Sequence, residues 1–323
     1  MRRQLSLVAL VTVAGIASAS AQTYPSRPPT MVVPYSAGGP TDTIARIMAE
    51  RMRGPLGQTV IVENTTGAAG TIGVGRVARA AADGYTISIG HWGTHVVNGA
   101  IYSLQYDVFR DFEPVSLIAT NPQLIVAKKS IPAKDLKELV AWLKGNSAKA
   151  TQGTAGHGSG SHVSGVYFQK ITGTQFQFVP YRGAGPAMQD LVAGQIDMMI
   201  DQAANSLPQV RAGTIKAFAV TDKTRLAAAP DIPTVDEAGV PGLHIAIWHA
   251  IWVPRGTPKD IVAKLNAAVR ESLADPTVRK RLTELGQDIP AVDRQTPEVL
   301  AAYHKAEIEK WWPVIKAANI KGE

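Results

Sequence analysis

Apolar residues along this 323-residue chain change spacing repeatedly, from short continuous runs to a helical repeat. Met31-Val32-Val33 is a short apolar run, followed by the turn Ala37-Gly38-Gly39-Pro40. After the turn, Ile44, Ile47, Met48 and Met52 recur on one helical face. Strand, glycine turn and helix together open a βα unit. The pattern returns: Val60 to Glu63 reads as a strand, Gly67-Ala68-Ala69-Gly70 as a turn, Thr71 to Ala82 as a helix and Tyr85 to Ile89 as a strand. Leu136, Leu139, Val140 and Leu143 form a further helical stripe, with Gly145 placed for a C-terminal cap. Such alternation predicts α/β architecture with largely parallel sheets.

The last third is helix-rich. Thr257-Pro258, Asp275-Pro276 and Thr296-Pro297 each put a capping side chain before a proline, whose missing N–H costs nothing in a first turn. Ile261, Val262, Leu265 and Val269 make the buried stripe behind the first of them, and the final helix is expected to stop near Trp311-Trp312-Pro313 or resume briefly after it. These helices need a sheet to cover, and the first lobe is the expected one.

The N-terminus sets the compartment. Arg2 and Arg3, the apolar stretch Leu5 to Ile16 and Ala19-Ser20-Ala21 read as a secretory signal peptide over residues 1–21, cleaved before Gln22. The apolar stretch is too short for the roughly 20 residues a spanning helix needs. A periplasmic mature chain is therefore expected. From Gln22 onward the chain exceeds the roughly 250 to 300 residues over which one core grows, so two domains are expected. There is no cysteine, which removes thiolate catalysis and cysteine-based metal sites. Formal charge is +7, reduced to +5 without Arg2 and Arg3, and the basic residues are scattered. That patterning argues against nucleic acid as a partner, while a mild positive field suits anionic solutes.

Four turns rich in glycine and small hydroxyls carry the candidate chemistry: Ser36 to Asp42, Gly90 to His95, Gly153 to His162 and Tyr181 to Pro186. Free N–H groups at helix N-termini favour anions, and in open α/β sheets such turns gather beyond the strand C-termini. Phosphate-loop and dinucleotide fingerprints are absent. Of the histidines, only His91 and His95 have i,i+4 spacing, in a glycine-broken turn, so no metal and no cofactor are expected. Gly158-Ser159-Gly160-Ser161 lacks the G-x-S-x-G nucleophile pattern, and the neighbouring His162 is no evidence of an oriented base. Arg182 can fork onto a carboxylate. Asp201, after the apolar run Met198-Met199-Ile200, stands either as a helix cap or hinge partner or as a ligand contact. Trp92 is either core or a wall of the pocket.

Taken in order, "YPSRPPTMVVPYSAGGPTDTIAR", "VIVENTTGAAGTIG", "GTHVVNGAIYSLQYDVFRDFEPVSLIA", "GTAGHGSGSHVSGVYFQ", "VPYRGAGPAMQDLVAGQIDMMID" and "IPTVDEAGVPG" resemble the receptors of tripartite tricarboxylate transporters, also called the Bordetella uptake gene (Bug) family. The resemblance covers essentially the whole mature chain. It implies an α/β, two-lobed Venus-flytrap fold, each lobe a mixed sheet flanked by helices, that encloses a small dicarboxylate or aromatic carboxylate and catalyses no reaction. Lobe 1 is expected to comprise 22–121 and 241–323, and lobe 2 to comprise 122–240, with crossings near Asn121-Pro122 and Gly239 to Gly242. Ala37, Gly38, Gly39, Thr41 and Asp42 would form the first-lobe edge of the site and Thr94 and Trp92 the second turn. Ser161, His162 and Arg182 would face them from the second lobe, and His157, Ser159, Gly183 and Asp201 are further candidate ligand contacts read from the turns and strand end themselves. Trp92 and His157 depart from the small residues common at those places. Membrane subunits of a transporter are the implied partners, and hinge motion suits a monomer. Two other readings compete: a ligand-dependent partner of a membrane sensor, and an exported serine hydrolase built around Ser161 and His162.

Overall fold

The computed structural model describes residues 23–318 and 320, so the expected leader and its cleavage point lie outside the described residues. The chain runs β1 (Thr30–Val33), α1 (Pro40–Leu56), β2 (Ile61–Asn64), α2 (Thr71–Ala78), β3 (Thr86–His91), α3 (Asn98–Ile101), β4 (Phe112–Lys128) and α4 (Leu136–Gly145). It continues through β5 (Thr151–Thr154), α5 (Gly160–Thr172), β6 (Gln177–Pro180), α6 (Ala184–Val192), β7 (Met198–Gln202), α7 (Ala203–Arg211) and β8 (Ile215–Val220). The last elements are β9 (Ala246–Pro254), α8 (Lys259–Ala274), α9 (Pro276–Glu284) and α10 (Pro297–Ala317).

Two sheets share one strand. β1 pairs in parallel with β2 and β3, and β9 runs antiparallel between β3 and β4. The 17-residue β4 changes partners midway. Phe112 to Pro122 lies on β9, whereas Gln123 to Lys128 lies between β7 and β8. β5 pairs in parallel with β6 and β7. The outcome is two α/β lobes with β4 passing from one to the other. The return passes Ile245, whose N–H donates to Thr221 O (3.2 Å) while Thr221 Oγ1 donates to Ile245 O (2.8 Å). Gly239 lies before this point, against Lys137 of α4.

Both faces of each sheet are covered, which is why the strands read as continuous apolar runs. Leu124 and Val126 of β4 face a core with Met188, Leu191 and Leu207, while Ile125 and Ala127 face another with Leu139, Phe168 and Met198. Successive strand side chains point to opposite faces, so one strand serves two cores. In the first lobe Ile44, Ile47, Met48 and Met52 of α1 pack with Met31, Ile87, Ile89, Leu265 and Val269. α8 lies on α1 and β4, and α10 on β4 and α3.

Local expectations differ from the structure at four points. α2 ends at Ala78, before the expected Ala82. Gly145 is the last residue of α4, and Asn146 closes it by donating to Trp142 O and Leu143 O. Asp275 and Thr296 cap α9 and α10, but the Thr257 hydroxyl donates to Pro254 O (2.7 Å) and leaves α8 uncapped. Helix α10 runs through Pro313 to Ala317. Interior proline costs about 3 kcal/mol, and packing outweighs it here. Trp312 Nε1 donates to Val96 O (2.9 Å), Trp311 meets Trp92 edge-on at 4.9 Å and Ile315 is buried.

Candidate functional site

The glycine turns at the strand ends fall into two groups. The first group touches itself across the lobes. Ser36 N–H of the β1–α1 turn donates to Arg182 O of the β6–α6 turn (3.1 Å). A Cβ on Gly185 would lie 3.1 Å from Ala37 O and from Gly39 N, and one on Gly183 would lie 2.4 Å from Ser36 Oγ. Glycine is required here because two backbones meet with no room for side chains. Ala37, Gly38, Gly39 and Gly183 therefore form the lobe-to-lobe contact.

The second group surrounds an inner cavity of ≈ 20 Å³, with walls from both lobes. Tyr35, His91 and Ile247 come from the first, and Ser159, Gly160, Ser161, Ala184, Asp201 and Gln202 come from the second, with Gln123 and Ala155. Tyr35 and Ala155 also line a second, outer cavity of ≈ 300 Å³, walled further by Ala68, Ala69, Tyr102, His157 and Arg182. Ala68 and Ala69 hold φ of 43° and 50°, an unfavourable region for alanine. Ala69 O is fixed there by Tyr35 OH (3.1 Å) and Asn98 Nδ2 (3.0 Å).

Hydrogen bonds fix what each wall can offer. Gly93 N–H donates to His91 Nδ1 (2.8 Å), so a neutral His91 carries its proton on Nε2. Burial pushes the His91 pKa down to about 3, and the ring stacks on Tyr35 at 5.1 Å. Ser159 caps α5, and Ser161 Oγ accepts from Ala155 N–H (3.0 Å) and pairs with Ser159 Oγ (3.1 Å). Asp201 Oδ2 accepts from Asn205 Nδ2 (2.7 Å) and Ser206 Oγ (3.0 Å) of α7. Burial lifts its pKa to about 6, against the lowering effect of those bonds and of the Gln202 N–H. Neutral donors and helix N-termini at α5 and α6 suit an anion.

Five expected residues are placed elsewhere. Trp92 is fully buried against Trp311 and lines neither cavity, because α10 crosses over it. Asp42 receives Gly38 N–H (2.9 Å), Arg46 Nε (2.9 Å) and Asn64 Nδ2 (2.9 Å), a brace inside its own lobe. Burial raises its pKa, but the bonds from Arg46, Gly38 and Asn64 outweigh this and leave it below the usual carboxylate range. Thr41 Oγ1 turns to His249 Nε2 (3.2 Å), and Thr94 Oγ1 exchanges hydrogen bonds with the His91 backbone. His162 Nδ1 accepts from Gly158 N–H (3.1 Å) and its ring packs on Phe178, behind the cavity wall. The Ser161 hydroxyl thus meets a backbone N–H and a serine, not an imidazole. Ser159, Ser161 and Asp201 stand at the inner cavity, and His157 and Arg182 at the outer one. Tyr35, His91, Gln123, Gln202 and Ile247 also line the inner cavity and are not singled out by the sequence. His91 and Tyr35 sat in or beside quoted turns, but Gln123 and Gln202 lie on strands and left no signal of their own.

A sequence profile described as the tripartite tricarboxylate transporter family receptor matches residues 44–320. This chain belongs to that receptor family. A UPF0065 protein from the TAR-I ttuE-ttuC' intergenic region of Agrobacterium vitis is 40% identical over 317 residues, covering 98% of this chain and 92% of that one. Among solved structures, the periplasmic binding protein BugD superposes with TM-score 0.90 at 41% identity, covering 93% of this chain and all of that one. MatC from Rhodopseudomonas palustris with bound malate gives 0.88 at 42%, covering 90% and 100%. A second R. palustris protein, with adipate, gives 0.87 at 36%, covering 92% and 99%. The fold is that of a two-lobed periplasmic binding protein, and the receptor family binds solutes rather than transforming them. No helix among the described residues is long and apolar enough to cross a membrane, and no group of three His, Asp or Glu side chains among them is placed to hold a metal ion.

Proposed function

We propose that this receptor captures a small carboxylate, a dicarboxylate or an aromatic carboxylate, between its lobes and delivers it in the periplasm to the membrane subunits of a tripartite transporter. The observation that carries this reading is the inner cavity, whose neutral donors come from both lobes and are complete only when the lobes meet. The carboxylates named for MatC and for the adipate-bound relative support the ligand class. The lobes are assigned as 22–121 with 241–323, and 122–240, turning about the β4 passage as a monomer. A cavity of ≈ 20 Å³ has room for about one water. Capture therefore requires the Ser36–Arg182 contact to open for entry and to reform behind the solute, so ligand shifts a population toward a closed state whose inner cavity is larger but whose clasp is kept.

A thermal-shift screen of ligand-free protein tests this, with calorimetry on each hit. The panel spans C4 to C8 dicarboxylates, citrate, acidic amino acids and mono- and dicarboxylated aromatics. A carboxylate at 100 times its Kd should add about 2.7 kcal/mol, and co-purification of the liganded form should retrieve transporter membrane subunits. A flat response across the panel overturns the carboxylate assignment, and retrieval of a sensor ectodomain alone overturns the transport role.

A further inference from the structure

The inner cavity holds one formal charge, and it has the same sign as the proposed ligand. Its walls contain no lysine or arginine, and burial keeps His91 neutral. Asp201 stands among these neutral groups, almost fully buried. The amide and hydroxyl acceptors of the other side chains are neutral, and three of them already take one hydrogen bond each. Gln123 Oε1 takes the Ser164 hydroxyl, Gln202 Oε1 takes Asn121 Nδ2 (3.4 Å) and Ser161 Oγ takes Ala155 N–H. A carboxylate has about four lone-pair sites. Asn205, Ser206 and the Gln202 N–H engage three at Asp201, which leaves acceptor capacity on a group lining the cavity.

From this we infer that the solute carries, beside its carboxylate, a hydrogen-bond donor that meets Asp201: a hydroxyl or an ammonium, making it a hydroxy- or amino-carboxylate. The inference rests on the carboxylate reading and narrows it. An unsubstituted acid closed into this space would set two carboxylates together in a low dielectric, where one must take a proton. An O–H or N–H in the same place satisfies Asp201 and leaves the solute's carboxylate to the Ser161 turn, His91 Nε2–H and the helix N-termini. A site built around a donor also rejects the analogue that lacks it, because its own buried acceptor is then left short of a partner.

The test is calorimetry on ligand-free protein with matched series: succinate, L-malate and L-aspartate; adipate and 2-aminoadipate; benzoate and 4-hydroxybenzoate. In whichever series binds, the donor-bearing member should bind at least tenfold more tightly than the plain acid, and malate against aspartate separates hydroxyl from ammonium. Asp201→Asn should remove that advantage by weakening the donor-bearing member while leaving the plain acid unchanged or tighter. Equal or tighter binding of the plain acid overturns the inference and leaves the carboxylate reading standing. So does an advantage that survives in D201N that unfolds cooperatively at or above the parent's melting temperature; if D201N does not fold, the comparison on the unsubstituted protein decides alone. Silence in every series overturns the carboxylate reading, and the inference with it.

Discussion

The two walls of the inner cavity are made of opposite chemistry. On the first-lobe side lies a layer of neutral rings. Tyr35 stacks on His91, His91 meets His249 edge-on at 5.4 Å, and behind them His95 stacks on Trp252 at 3.7 Å while Trp92 meets Trp311. The second-lobe side carries hydroxyls, amides and one carboxylate at Ser159, Ser161, Gln202 and Asp201. Ring pairs are held by area and by packing geometry, so the first wall is a preformed plate. The second wall is held by directional bonds, so on the proposed reading it is the one that sets which solute groups are accepted. On that reading, closure brings a rigid face to a selective one.

The same contrast gives the walls opposite responses to pH, and this is the largest effect to test. Burial depresses the histidine pKa values, to about 3 at His91 and about 4 at His304, and well below the ordinary value at His95 and His249. A depressed base contributes stability that is present above its unfolded pKa near 6.5 and is lost as pH falls toward the folded value. Asp201 is raised to about 6, so its contribution is present below about 4 and is lost as pH rises through 6. The histidines are more numerous and should dominate. Urea unfolding should show a loss on the order of 5 kcal/mol between pH 7 and pH 4. Asp201→Asn should stabilise at pH 7.5 and leave stability at pH 4 unchanged. A flat profile for the parent would mean that the ring layer is open to water.

Trp92→Ala separates plate from pocket. Trp92 is fully buried beneath α10, so truncation should cost about 3 to 5 kcal/mol in unfolding free energy. Affinity of the protein that remains folded should stay within about twofold, since the ring touches neither cavity. A loss of affinity with little loss of stability would return Trp92 to the pocket wall.

Much of the fold was legible because period and punctuation are local properties. The α1 stripe, the glycine turns and the Asp275 and Thr296 caps all appear where spacing put them. The misreadings share a cause, which is that distant packing overrode a local rule. α10 continues through Pro313 because Trp311, Trp312 and Ile315 have partners in β3–α3 and α5 surroundings that sequence does not display. Thr257 found Pro254 O instead of its helix. At the site, composition identified the turns but not what each turn faces. Asp42 and Thr94 have ligand-like chemistry that their own lobe consumes, whereas Gln123 and Gln202 look like ordinary strand residues until β4 and β7 bring them to the cavity.

The smallest predicted effect bears on whether the turn-to-turn contact belongs to the bound state. A Cβ at Gly183 would lie 2.4 Å from Ser36 Oγ and 3.0 Å from Ser36 N, whereas one at Gly194 would meet nothing within 4 Å. Both glycines lie in the second lobe with φ between 79° and 156°, so Ala at either position strains the backbone of that lobe, but only one stands across the cleft. Gly194→Ala should cost about 1 kcal/mol of stability through its left-handed conformation and leave affinity unchanged. Gly183→Ala should weaken solute binding roughly tenfold, about 1.4 kcal/mol, because Ser36 must withdraw before the lobes can meet. The ligand-free form should melt within a few degrees of the parent, and small-angle scattering with solute should show a larger radius of gyration than the parent with the same solute. If G183A binds as the parent does, the solute-bound lobes stand farther apart than Ser36 and Arg182 stand here. The selective wall would then act without that clasp, and affinity would depend on the cavity residues alone.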